Sequence, residues 1–260
     1  MKILIVDDNL SLRKVLAAFF ESHHHEIVAM LEDGYELLAC AQQHRPDLVC
    51  LDYNLPGRDG LELLTELHAA APEIDVVIIT GSDDPELMGK AAGAGAAGFL
   101  HKPFSQPQIL EELKHIEENR RVMARAQDDK PILDLRGATG LKRTAVVVDD
   151  NGSVRMLLKG ILQEMGIRVL QTVSNGAEGV EAAKKHLPTL VTLDVDMPIM
   201  TGLEALPLIR QASPDSKVVM VTGNPDKAFA ATAIAGGAKG YILKPLRPAY
   251  VEAFMKKLLP

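Results

Sequence analysis

Shifted by 142 residues, the chain falls on itself without a gap. Asp7 and Asp8 land on Asp149 and Asp150, Asp52 on Asp194, Thr80 on Thr222 and Lys102 on Lys244. The structural punctuation follows the same register: Asp33-Gly34 meets Asn175-Gly176, Pro56 meets Pro198, Gly60 meets Gly202 and Pro103 meets Pro245. An offset kept over so many positions means two copies of one folding unit. At 260 residues, each copy has room for a core of its own.

Within a copy, short apolar runs alternate with longer amphipathic segments, the pattern of βαβ units around a parallel sheet. In the first copy strands are expected at 2–6, 26–30, 48–51, 75–79 and 98–101, and helices at 10–21, 34–44, 59–70, 84–94 and 106–125; the offset gives the second set. Runs such as VVIIT and VVMVT, apolar at nearly every position, belong to strands covered on both faces. The expected class is therefore α/β, two doubly wound five-stranded parallel domains in tandem. Their expected limits are 1–125 and 144–260. Between them AQDDKPILDLRGATGLKR, residues 126–143, carries Pro, Gly and mixed charge without a period, and reads as a linker. The helix before it is longer than its counterpart at 247–258, and its extension is expected to reach toward the second domain.

Composition narrows the setting. No apolar stretch approaches the roughly 20 residues of a membrane span, and acids follow MKILIV too soon for a signal peptide. No membrane association and a cytoplasmic location are expected. The two cysteines, Cys40 and Cys50, lack zinc-site spacing and read as reduced thiols. Of the chain's net −7, residues 1–127 carry −10 and residues 142–260 carry +4. The basic excess of the second half is modest and has no interleaved aromatics, so no nucleic-acid partner is expected. His23-His24-His25 falls on a helix-to-strand turn and reads as solvated; His101 reads as a strand residue beside the site.

Ligands of an open parallel sheet sit at the carboxyl ends of its strands. Asp7-Asp8 follows the first strand, Asp52 ends the third, Thr80 the fourth and Lys102 the fifth, so three carboxylates, a hydroxyl and an ammonium share one rim. Clustered carboxylates repel unless a cation offsets them, and an all-oxygen set suits Mg²⁺. Thr80 and Lys102 add donors for an anionic oxygen, and a phosphoryl group answers both halves of this arrangement.

These residues carry a resemblance. With DD after the first strand, DYNLPGRDG and DVDMPIMTG after the third, T-G after the fourth and KP after the fifth, each half resembles a receiver domain of bacterial two-component response regulators, of the chemotaxis type. The resemblance implies the flavodoxin-like (βα)5 fold with strand order 2-1-3-4-5. It implies that Asp52 and Asp194 accept phosphoryl groups from the phosphohistidine of a sensor kinase or phosphotransfer protein. Asp8 and Asp150 would ligate Mg²⁺, Asp7 and Asp149 mainly through water, and the backbone carbonyls of Asn54 and Asp196 would complete the shell. Lys102 and Lys244 would pair with phosphoryl oxygens, each before a cis proline. Thr80 and Thr222 would move toward the phosphoryl group, and the aromatics Phe99 and Tyr241 would turn into the space left. This reshapes the face of the fourth helix, fifth strand and fifth helix, where downstream proteins, or a second copy in a homodimer, would bind. Such domains catalyse only their own phosphorylation and dephosphorylation.

Both copies spend their residues on the receiver pattern, so no output domain is expected. A phosphorelay protein is the leading reading. The alternatives are an interaction or dimerisation scaffold with one phosphorylated receiver, a phosphate sink, and the receiver piece of a longer diguanylate-cyclase-type regulator.

Overall fold

The computed structural model describes residues 1–82, 84–127, 143–224 and 227–259, and its backbone divides into two units, Met1–Ile116 and Glu117–Pro260. The first unit is built from β1 (Lys2–Val6), α1 (Leu10–Ser22), β2 (Glu26–Leu31), α2 (Leu37–His44), β3 (Leu48–Asp52), the two-residue strands β4 (Asn54–Leu55) and β5 (Arg58–Asp59), α3 (Gly60–Ala70), β6 (Asp75–Thr80), α4 (Pro85–Gly93), β7 (Gly98–His101) and the start of α5 (Gln106–Gln127). Residues of α5 from Glu117 onward belong to the second unit. That unit continues with β8 (Thr144–Val148), α6 (Gly152–Glu164), β9 (Arg168–Val173), α7 (Gly176–His186), β10 (Leu190–Asp194), α8 (Gly202–Ala212), β11 (Lys217–Thr222), α9 (Lys227–Ala235), β12 (Tyr241–Leu243) and α10 (Pro248–Leu258). Most of the expected linker, residues 128–142, lies outside the described residues.

Both five-stranded sheets are parallel, ordered β2-β1-β3-β6-β7 and β9-β8-β10-β11-β12. This is the expected order twice over, and even the register irregularity between the first two strands recurs, at Ile3/Leu4 and at Ala145/Val146. Successive side chains of a strand enter opposite cores. Ile3 and Ile5 pack with Leu16, Phe20 and Leu113, whereas Leu4 and Val6 pack with Leu37, Leu63 and Leu67. In the second unit Ala145 and Val147 join Leu158, Ile161 and Met255, and Val146 and Val148 join Ala183, Leu206 and Ile209. Covering both faces leaves the strand ends as the place for polar groups. Among the described residues no helix is long and apolar enough to cross a membrane.

Two local departures have identifiable causes. A helix was expected from residue 34, but α2 begins at Leu37. Asp33 spends its carboxylate on the Tyr35 amide, 3.0 Å away, and Glu36 makes no side-chain cap. The equivalent Asn175 instead accepts from Glu178 N at 2.9 Å, and α7 starts at Gly176 as expected. The second departure is the antiparallel pair β4–β5, in which Asn54 faces Asp59 and Leu55 faces Arg58. It closes through Gly57 at φ +74°.

The glycine that ends the motif after the third strand is a packing requirement in both copies. A Cβ on Gly60 would lie 2.7 Å from Tyr53 Cα and 2.8 Å from Asp52 O, and one on Gly202 would strike Asp194 O. These are backbone atoms with no rotamer to change, so α3 and α8 sit where they do because position one of each helix lacks a side chain. Gly60→Ala and Gly202→Ala are each expected to cost about 1–3 kcal/mol, read as a lowered thermal midpoint of the affected unit.

Candidate functional site

The sequence Asp7-Asp8-Asn9 converts a strand end into a helix start. Asn9 accepts from the amides of Ser11 and Leu12 as the N-cap of α1, and Asp7 Oδ1 accepts from Asn9 N at 2.8 Å. Asn151 caps α6 in the same way, with Asp149 Oδ1 2.9 Å from Asn151 N. Capping satisfies amides that the helix leaves free, and the turn it makes aims the other oxygen of Asp7 and Asp149 over the sheet edge. An arginine one turn into each helix secures the arrangement. Arg13 Nη1 donates to the carbonyl of Asp7, and Arg155 Nη1 donates to the carbonyls of Asp149 and Asp150 at 2.6 and 2.8 Å.

Each of these pairs meets one lysine and one further aspartate. Lys102 Nζ donates to Asp7 Oδ2 and Asp52 Oδ2, both at 2.8 Å. Lys244 Nζ stands 3.0 Å from Asp149 Oδ2 and 3.0 Å from Asp194 Oδ1. Both lysines precede a cis proline, Pro103 and Pro245. Asp7, Asp149, Asp52 and Asp194 are buried, as are Thr80 and Thr222, while Asp8 and Asp150 are exposed. The threonines are held alike: Thr80 Oγ1 accepts from Ser82 N and Thr222 Oγ1 from Asn224 N, each at 3.0 Å, which leaves each hydroxyl hydrogen to donate.

The electrostatics follow from burial. Asp52 is pushed above the ordinary carboxylate range by loss of solvent, against the hydrogen bond and charge of Lys102. Asp194 is pushed up to about 7, first by burial and then by the charge of Asp149, with Lys244 opposing. Burial also raises Asp149 against the pull of Lys244. Burial alone would lower both lysines, but their aspartate partners outweigh it and raise them. The sites differ in enclosure: the Lys102 side chain is 29% exposed and that of Lys244 is 2% exposed.

The donor set fits a hard divalent cation. One oxygen each from Asp7, Asp8 and Asp52, and likewise from Asp149, Asp150 and Asp194, lie within 4.8 Å of one another. In the second site Asp149 Oδ2 is buried, and its lysine contact lacks hydrogen-bond alignment, leaving an acceptor turned toward the cluster. Asn54 and Asp196, two residues past Asp52 and Asp194, are exposed at the rim, and Asn54 N reaches Asp52 Oδ1 only at 3.4 Å. Phe99 and Tyr241, half-buried on β7 and β12, pack against the cores under α4 and α9. His101 is a half-buried β7 residue paired in register with Thr80. Of the histidine run, His23 hydrogen-bonds Phe19 O and His25 approaches the N-terminal amine; the only metal-compatible groups among the described residues are the two aspartate clusters.

Asn9, Asn151, Arg13 and Arg155 were not singled out from sequence as site residues. Their signal was the repeat itself, which keeps both at the same offset as the acids, but the carbonyl each arginine serves is visible only in the folded loop.

One rim residue is strained. Ile199 replaces Gly57 in the loop after the third strand, yet keeps the same left-handed backbone, φ 70° against 74°, in a residue 85% exposed. A β-branched residue is disfavoured there.

Three substitutions test this reading of the two rims. Ile199→Gly is expected to raise stability of the second unit by about 0.5–1 kcal/mol, relief of strain outweighing the freer unfolded chain. Lys244→Met, without divalent cation, leaves two buried carboxylates without their counter-charge and is expected to cost about 3–5 kcal/mol. Lys102→Met should cost clearly less, because solvent reaches that site; chemical denaturation of each variant measures both.

A family model described as the response regulator receiver domain matches residues 3–114 and again residues 145–256. The chain is 34% identical over 116 residues to the chemotaxis protein CheY of Thermotoga maritima, covering 45% of this chain and 97% of that protein. It is 37% identical over 114 residues to CheY of Bacillus subtilis, covering 44% and 95%. Among solved structures it is similar to the CheX-CheY-BeF3-Mg+2 complex from Borrelia burgdorferi, at 28% identity and TM-score 0.46, covering 47% of this chain and 93% of that one.

Proposed function

Because the chain belongs to the response regulator receiver family through both of its halves, we propose that Asp52 and Asp194 each accept a phosphoryl group from a phosphohistidine donor, making the protein a two-site element of a two-component phosphorelay. The observation that carries this reading is the lysine set between a metal-side and an acceptor-side aspartate, repeated in both units at 2.8 and 3.0 Å. In the transfer an Asp52 or Asp194 oxygen bonds to phosphorus as the donor's P–N bond breaks. The electron pair leaves on the imidazole nitrogen, which takes up a proton. Mg²⁺, when bound by Asp8, Asp52 and the Asn54 carbonyl, or by Asp150, Asp194 and the Asp196 carbonyl, with Asp7 or Asp149 through water, supplies charge neutralisation for the transferred group.

The chain's own groups divide the remaining work. Lys102 and Lys244 transfer their ion pair from carboxylate to phosphoryl oxygens, and Thr80 and Thr222 offer their free hydroxyl hydrogens. Movement of these threonines lets Phe99 and Tyr241 turn, changing the faces α4-β7-α5 and α9-β12-α10 that partners read. On the second face Ile234, Leu243 and Tyr250 are exposed apolar side chains, whereas α4 and β7 carry no exposed large hydrophobic residue among the described residues. This favours the second receiver as the one that binds a downstream protein or a second copy. The sensor kinase or phosphotransfer protein is the donor, the reaction is self-modification rather than turnover of a substrate, and the setting is the cytoplasm.

Wild type, Asp52→Ala and Asp194→Ala, treated with phosphoramidate and Mg²⁺ and followed by intact mass, are expected to gain two, one and one phosphoryl groups. No gain in any of the three would overturn the reading; a single gain, lost only in Asp52→Ala, would reduce the second unit to a scaffold.

A further inference from the structure

The last three turns of α5 pack as part of the second unit. Val122 is buried in the core with Leu157, Leu158 and Ile161, and Ala126, also buried, lies over α6 with its Cβ 3.2 Å from where a Cβ on Gly160 would stand. Gly160, in the middle of α6, explains how the helices come so close: a Cβ there would lie 2.7 Å from Val122 Cγ1 and 2.9 Å from Val122 O. Glycine is a poor residue for a helix interior, and the first unit has Ala18, exposed, at the equivalent place on α1. The α6 surface is thus shaped to receive a helix. Asn119, buried, donates its Nδ2 to Leu246 O at 3.3 Å, while its Oδ1 finds no partner among the described residues. Arg125 pairs with Glu164 at 2.9 Å at the far end.

Both elements gripped by this segment start at the second acceptor site. Helix α6 begins directly after Asp149 and Asp150 and their capping Asn151, and Leu246 is two residues beyond Lys244. Resting on the reading of Asp194 as a phosphoacceptor, we propose that Glu117–Gln127 is an intramolecular partner helix of the second receiver, seated on α6 and the Leu246 carbonyl, which phosphorylation of Asp194 unseats. A phosphoryl group on Asp194 adds three oxygens where Lys244 Nζ already stands at 3.0 Å from the carboxylate. With its side chain 2% exposed, Lys244 has no solvent side to yield into. It moves along its own chain, and Pro245 and Leu246 move with it. The Asn119 hydrogen bond, long at 3.3 Å and made by a side chain whose Oδ1 is unsatisfied, is the weakest tie in the seat. Release bares an apolar face on α6, centred on Gly160, that takes an amphipathic helix with the Asn119, Val122 and Ala126 spacing. Lys102, with 29% exposure, yields toward solvent instead.

The test uses full-length Asp52→Ala protein with phosphoramidate and Mg²⁺, intact mass reporting addition at Asp194 and hydrogen exchange reporting residues 117–127. These amides are expected to exchange about tenfold faster than in an Asp52→Ala/Asp194→Ala protein treated alike. Gly160→Ala should speed their exchange with no donor present and, by reciprocity, raise the equilibrium extent of phosphorylation at Asp194; Asn119→Ala should do both to a smaller degree and keeps the test open if Gly160→Ala folds poorly. Addition at Asp194 with unchanged exchange overturns the unseating and leaves the receiver reading standing. No addition overturns that reading for the second unit and the proposal with it. Unchanged exchange in both Gly160→Ala and Asn119→Ala overturns the seat itself.

Discussion

In each unit one ammonium group ties together the ends of three strands. Lys102 leaves β7, passes the end of β6 and meets carboxylates that end β1 and β3; Lys244 does the same from β12. Like charges this close would drive the strand ends apart or force protonation, and the upward shift of Asp52 and Asp194 shows how far burial already pushes in that direction. The lysine is the internal counterion that lets two carboxylates remain beside an exposed third. Much of the surrounding structure serves this arrangement: Asn9 and Asn151 turn the chain, Arg13 and Arg155 hold the turn by its carbonyls, and Gly60 and Gly202 let a helix start against the backbone of Asp52 and Asp194.

That dependence explains what a sequence could disclose. Strand ends are fixed by a register with little slack, since a one-residue slip sends every side chain to the opposite face. Residues bound to that register, such as Asp7, Asp52, Thr80 and Lys102, are therefore placed once the strands are, whereas the sheet order came from the family resemblance that those residues carry. What stayed hidden depended on single side-chain choices in loops. Whether Asp33 bonds Tyr35 N or, as Asn175 does, an amide one residue further decides where a helix begins. Whether a turn closes into a small ladder, as at Asn54 to Asp59, is decided by a few backbone hydrogen bonds. Neither leaves a periodic trace.

The extension of α5 was legible as length but not as attachment. Its buried contacts are Asn119, Val122 and Ala126, a spacing shared by any amphipathic helix. The informative residue was on the other partner: Gly160, standing where the first copy has Ala18, is costly in an isolated helix and sensible only under a closely packed neighbour.

Duplication thus preserved one thing and released another. The site tolerates few changes because every member is buried against, or charged toward, another member, and both copies keep all of them. The surfaces have no such coupling, and there the copies part: −10 against +4 in net charge, Gly57 against Ile199 in the same backbone turn, a lysine 29% exposed against one 2% exposed. The last difference links the two levels. A site closed from solvent has to pass any change in its contents to the elements that enclose it, whereas an open site can absorb the same change locally. On the proposed phosphoacceptor reading, one chemistry in an open and a closed frame yields two different mechanical outputs from one duplicated design.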